Sequence, residues 1–96
     1  MIEVRETVVF SEWLGSLRDA HARARIQARM IRLRLGNFGD FKQLGEGVAE
    51  LRINYGPGYR VYFVRQGDKV VVLLGGGDKR TQERDIKAAI SLARTL

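Results

Sequence analysis

The chain has 96 residues, 45% of them hydrophobic and 29% charged, which suits one globular domain spanning 1–96 and argues against disorder. It holds no cysteine and one histidine, His21, which excludes disulfides, thiolate metal sites, a cysteine nucleophile and a histidine cluster for zinc. The net charge is +6, with 13 arginines against 4 lysines. Such a surface is drawn to polyanions by counterion release, the competing readings being a solubility charge or a face for an acidic protein.

Ile2-Glu3-Val4 predicts a short first strand. Thr7 reads as an N-cap, followed by Phe10, Trp13, Leu14 and Leu17 at helical spacing. Asp19 then caps a longer helix whose buried stripe is Ala22, Ile26, Met30 and Leu33, ending at Gly36. A link this short predicts an antiparallel helical hairpin. Arg25, Arg29 and Arg32 share another face of the second helix; the arginines of this region as a whole, Arg18, Arg23, Arg25, Arg29, Arg32 and Arg34, either form a solvated basic face, or track phosphates, or receive an acidic partner. Residues 36–47 read as a loop pinned by Phe38, Phe41 and Leu44.

From Ala49 the period changes to two. Ala49, Leu51, Ile53 and Tyr55 alternate with Glu50, Arg52 and Asn54. After the turn Gly56-Pro57-Gly58, Tyr59, Val61 and Phe63 take one face and Arg60, Tyr62 and Val64 the other. Val70 to Leu74 is a continuous apolar run, as in a strand covered on both sides. Thr81 reads as the N-cap of a last helix with Ile86, Ala89, Ile90 and Ala93 as its apolar stripe. The expected fold is α+β: an antiparallel sheet of about four strands, the helical hairpin on one face, a C-terminal helix, and a second face showing Arg52, Arg60 and Tyr62 at least in part.

No apolar run approaches the roughly 20 residues of a membrane span. The acids of Met1-Ile2-Glu3-Val4-Arg5-Glu6 do not suit a signal peptide. A cytoplasmic protein without membrane association is expected.

Arg52 and Arg60 fall on the polar phase of adjacent strands, where they can converge on one anion. Cleaving RNA without metal needs a base for the 2′-hydroxyl, an acid for the leaving 5′-oxygen, and positive charge on the phosphate. Arginine suits the last role because it stays charged. Against this, Arg52 can simply pair with Glu50. Tyr62 can stack on a base or hydrogen-bond, or be a rim tyrosine. Gly75-Gly76-Gly77-Asp78-Lys79-Arg80 stands between a strand and a helix, a setting that favours anions, although no Walker or dinucleotide motif is present. A neighbouring arginine cluster would depress the pKa of Lys79 and fit it for proton transfer. The alternative is that the glycines only turn the chain and Asp78 caps the helix. His21, away from the sheet face, is assigned no catalytic role.

Glu50-Leu51-Arg52-Ile53, Tyr55-Gly56-Pro57-Gly58-Tyr59-Arg60-Val61-Tyr62-Phe63 and Leu73-Leu74-Gly75-Gly76-Gly77-Asp78-Lys79 resemble the HigB-type addiction-module killer proteins, related to phage Gp49-like proteins, of the RelE/ParE toxin superfamily. The resemblance runs across nearly the whole chain. It implies a RelE-like fold and a toxin that cleaves messenger RNA in the ribosomal decoding site, with no metal or other cofactor. It also implies a cognate HigA-like antitoxin with a helix-turn-helix domain, operator DNA being bound only through the complex. Arg60 matches the family arginine at the scissile phosphate, and Arg52 a basic position on the preceding strand. Lys79 or Arg80 takes the place of a basic residue after the last sheet strand. Glu50 stands where RelE-like nucleases carry a second basic residue, and the C-terminal tyrosine or histidines of relatives have no match. The identity of the acid and base therefore stays open. The candidate catalytic set is Arg60, Arg52, Lys79, Asp78 and Tyr62, with Arg80, Lys42 and Arg84 as further RNA-binding residues. Two rival functions share the fold: a ParE-like gyrase inhibitor, and a non-catalytic module that only binds the antitoxin and co-represses.

Overall fold

Alternation of side chains decides the sheet. The computed structural model describes residues 1–96, in the order β1 (Glu3–Glu6), α1 (Val8–Ser16), α2 (Ala20–Arg34), β2 (Phe41–Gly45), β3 (Val48–Ile53), β4 (Tyr59–Gln66), β5 (Val70–Asp78) and α3 (Gln82–Ala93). A single 3₁₀ turn, Lys79–Thr81, joins β5 to α3. β3, β4 and β5 are successive antiparallel neighbours, with Arg52 opposite Arg60 and Arg60 opposite Gly77.

Two strands depart from the sequence expectation of about four antiparallel ones. The sheet has five strands in the order β1-β5-β4-β3-β2, and it is mixed, because β1 runs parallel to β5 with Glu3 opposite Val70. The four residues of β1 carry no signal of direction; parallel pairing is set by a partner far along the chain. The second departure is β2, which lies inside the stretch expected to be a loop. Phe41 pairs with Leu51 and Lys42 with Glu50. As an edge strand it is mostly exposed and shows no apolar alternation, and the glycines at 39, 45 and 47 disguise it. Phe41 nonetheless joins an aromatic group with Phe38 and Phe63, ring centroids 5.6 and 6.2 Å away.

α1 and α2 begin as their caps dictate, and α3 does not. Thr7 Oγ1 accepts from the Phe10 amide at 3.2 Å and donates to the Leu73 carbonyl at 2.7 Å, fastening α1 to β5. Asp19 accepts from the amides of His21 and Ala22. Gly36, with φ +87°, stops α2. Thr81 precedes α3 but makes no capping bond; its hydroxyl donates to Asp85 instead, and Asp78 caps the 3₁₀ turn.

Ala22, Ile26, Met30 and Leu33 of α2 and Phe10 of α1 pack on the face of the sheet that carries Leu51, Val61 and Phe63. The other face is not open. α3 covers it, burying Val48, Tyr62, Val72 and Leu74 against Ala89. The apolar stripe of α3 has to be buried somewhere, and this is the remaining surface of the sheet. The expected polar face is therefore a second core, open only where β3 and β4 run past the start of α3. No helix is long and apolar enough to cross a membrane.

Candidate functional site

The site lies at that opening. β-sheet register sets Arg52 directly across from Arg60, and period two puts both on the same face as Glu50. Glu50 is fully buried. Its Oε2 accepts from Arg52 Nε at 3.2 Å, and Gln82 Nε2 of α3 donates to both carboxylate oxygens at 2.9 and 3.1 Å. Arg60 Nε also lies 3.2 Å from Oε2, but its N–H is not aimed at it: this is an ion pair by distance, without a hydrogen bond. Arg60 Nη1 donates to the carbonyls of Gly58 and Tyr59 at 3.2 and 3.1 Å. The Arg60 guanidinium is thus fixed from two sides, and the residue is only 8% exposed. A buried charge needs such partners, since an isolated one costs several kcal/mol.

Lys79 arrives at the same end of the sheet from the other side of β4, just after the end of β5. Its stem lies across Gly58, where a Cβ would fall 2.8 Å from Lys79 Cε. Gly58 has φ +81°, the conformation that favours glycine there, while a Cβ would have to displace the flexible Lys79 stem. The Gly-Pro-Gly turn and the end of β5 are thereby brought together, Tyr59 standing opposite Asp78. The result is a cleft of about 190 Å³ lined by Asp40, Arg52, Ile53, Asn54, Gly58, Arg60 and Lys79. Three cations set against Glu50 and Asp40 leave one positive charge in surplus (3 − 2 = 1).

Asp40 escaped the sequence reading. It sits just before β2, and its carbonyl accepts from the Arg52 amide at 2.9 Å and from Arg29 Nη2 at 3.1 Å. The signal was β2 itself: with Phe41 opposite Leu51, Asp40 falls beside Arg52.

The remaining candidates lie elsewhere. The Asp78 carboxylate is bound to its neighbour, accepting from the Arg80 amide at 2.8 Å and from Arg80 Nε and Nη2 at 3.2 and 2.8 Å. That guanidinium holds the Asp78 carboxyl below the usual range. Lys79, not Arg80, is the cation that reaches the cleft. Tyr62 is 1% exposed beneath α3, so it cannot stack on a base, contrary to its expected place on an open face. Its hydroxyl has no partner, and burial, reinforced by the charges of Glu50 and Asp85, pushes it well above the ordinary tyrosine range. Arg80 and Arg84 line a different depression with Thr81, Glu83 and Lys87. Lys42 is exposed on β2 opposite Glu50 and lines neither hollow. No group of three or more side chains is arranged to hold a metal ion.

Residues 12–96 match the family model described as Phage derived protein Gp49-like (DUF891). The chain belongs to the Gp49-like family. The Gp49-like match begins within α1, beyond β1, and takes in every side chain of the cleft. A protein of Haemophilus influenzae (strain Rd), described as uncharacterized, is 50% identical over 95 residues, covering 99% of this chain and 96% of that one.

Proposed function

We propose that this chain is the toxin of a type II toxin–antitoxin pair, a ribosome-dependent endoribonuclease that cuts messenger RNA and so stops translation. The observation that carries the reading is the convergence of Arg52, Arg60 and Lys79 on one cleft with a positive charge in surplus, a match for a phosphodiester. Membership of the Gp49-like family supports it. So does the origin of the cleft: the two segments that most resemble HigB-type killer proteins, Gly56–Arg60 and Gly75–Lys79, are the two that meet there.

In this reaction the 2′-oxygen of the RNA attacks the adjacent phosphorus. The new 2′-O–P bond forms, the P–O5′ bond breaks, and the products are a 2′,3′-cyclic phosphate and a 5′-hydroxyl. Asp40 takes the 2′-hydroxyl proton and the Lys79 ammonium gives one to the departing 5′-oxygen. Arg60 and Arg52 stabilise the charge that gathers on the phosphoryl oxygens. Asp78, occupied by Arg80, is set aside from this role. The cleft offers one carboxylate and one ammonium but no histidine, so alignment of the message has to come from outside. A ribosome that holds the strand in place supplies it, and such alignment contributes up to about 7–11 kcal/mol of barrier lowering. The partner in this reading is a helix-turn-helix antitoxin through which the pair reaches operator DNA, and the site of action is the cytoplasm.

Expression in bacterial cells without antitoxin, followed by primer extension on translated messages, tests this. The wild type is expected to arrest growth and to give cuts within codons. Lys79→Ala is expected to reduce cutting about 100-fold or more, the usual contribution of a general acid. Growth arrest that survives in an Arg52→Ala/Lys79→Ala variant with messages intact would overturn the nuclease in favour of a gyrase-type target. Unaffected growth with the wild type would leave only a co-repressing module.

A further inference from the structure

The arginines of α2 adjoin the cleft. Arg25, Arg29 and Arg32 stand three and four residues apart on one helix face. With Ala28, Ile53 and Asn54 they line a depression of about 240 Å³. Ile53 and Asn54 also line the cleft of Arg52, Arg60 and Lys79, so the two hollows share a wall at the end of β3.

Three observations set this face apart from an ordinary solvated one. Arg29 is built in: it donates to the carbonyls of Arg52, Phe38 and Asp40 at 2.6, 3.0 and 3.1 Å and fixes the wall between the hollows. Arg25 is held at the rim, its guanidinium 4.6 Å from the centre of the Tyr55 ring, while the Tyr55 hydroxyl donates to Asp19 at 3.2 Å. Arg32 is exposed, and none of the three arginines is ion-paired with a carboxylate; Arg18, Arg23, Arg34 and Arg65 share that property, but only here do three such side chains line one depression. The charge here is both positioned and uncompensated.

We propose that the two hollows form one track for a single RNA strand, with the reacting phosphate in the cleft and the flanking backbone crossing Asn54 onto Arg25 and Arg32. The identity of the strand as RNA rests on the nuclease reading above. Asn54, exposed between the hollows, offers a donor and an acceptor to a ribose or a base. Four of the six side chains lining the α2 depression, Arg25, Arg29, Arg32 and Asn54, are polar or cationic, which favours a phosphate backbone over a protein helix.

The test uses the purified full chain and fluorescent 2′-O-methyl oligoribonucleotides, which have no free 2′-hydroxyl and cannot be cut. One is about three nucleotides long and one about ten, and binding is followed by anisotropy over a range of salt. Arg25→Ala/Arg32→Ala is expected to weaken the longer probe about tenfold and to lower its salt slope by about 1.4, two phosphates at roughly 0.7 each. The shorter probe is expected to bind unchanged. Arg52→Ala/Lys79→Ala is expected to weaken both. An unchanged slope and affinity for the longer probe in the α2 variant would overturn the track. So would a glutamate peptide of equal charge that competes better than the RNA, which would assign the face to an acidic protein. If instead the cleft variant leaves the short probe unaffected, the nuclease reading fails, while the longer probe still reports on α2 by itself.

Discussion

On the face of the sheet under α1 and α2, a single cluster of 13 buried side chains is apolar throughout; under α3 the corresponding cluster has five, and the rest of the space goes to Glu50, Arg60 and an unpaired tyrosine hydroxyl. The first face stabilises the fold by area removed from water. The second gives up area to hold two guanidiniums at a fixed spacing, and only where α3 begins does it reach solvent. The margin of this thin second core holds Arg60 rigid and leaves Arg52 in contact with solvent. The comparison fails if the two faces respond alike to substitution.

The largest difference is expected at Phe63. Its ring packs 5.7 Å from Phe38 and 6.2 Å from Phe41, and it is 1% exposed. Phe63→Ala is expected to cost about 3–5 kcal/mol in urea denaturation. A loss below about 1 kcal/mol would mean that the face under α1 and α2 is not the main store of stability.

Glu50 comes next, and here stability and binding should separate. Glu50→Ala leaves Arg60 buried without its counter-charge and is expected to cost about 3 kcal/mol. Glu50→Gln keeps an acceptor for Arg52 and is expected to cost less, while raising the charge surplus of the cleft and tightening its hold on short oligoribonucleotides. Denaturation and anisotropy on the same two variants check this. A Glu50→Gln protein that binds RNA more weakly would show that the carboxylate orients the arginines more than it offsets them.

Much of this arrangement can be read in the sequence, and the exceptions share a cause. The stripe Ala22, Ile26, Met30 and Leu33 and the caps Thr7 and Asp19 are local patterns, and each is where its spacing puts it. Arg52 and Arg60 were legible because a glycine turn between two alternating strands fixes which side chains share a face, and Lys79 because it directly follows the last strand of the sheet. The parallel pairing of β1 was not, since its partner lies far along the chain, and neither was β2, since an exposed edge strand buries too little to show alternation; Asp40 was hidden with β2. Tyr62 shares the phase of Arg60, and the pattern of two cannot tell a polar face from one roofed by a helix. That information is in α3, whose own apolar stripe requires a surface to cover.

Tyr62 gives the smallest effect and the sharpest distinction between face and site. Its hydroxyl is buried without a partner, at a cost of about 1–3 kcal/mol that removal of the oxygen can recover. Near neutral pH, Tyr62→Phe is therefore expected to be as stable as the wild type or up to about 1 kcal/mol more so. In alkali the two should diverge. The folded pKa lies above the unfolded value of 10.0, so the stability tied to the protonated hydroxyl is fully present below pH 10.0 and is lost as the pH climbs from there through the folded value. Urea denaturation above that pH should show the wild type falling more steeply than Tyr62→Phe. Cleavage of messenger RNA should be the same in both. Loss of cleavage in Tyr62→Phe would require α3 to lift and expose the ring, since Tyr62 is 1% exposed and outside the cleft of Arg60 and Lys79 while Gln82 keeps α3 bonded to Glu50.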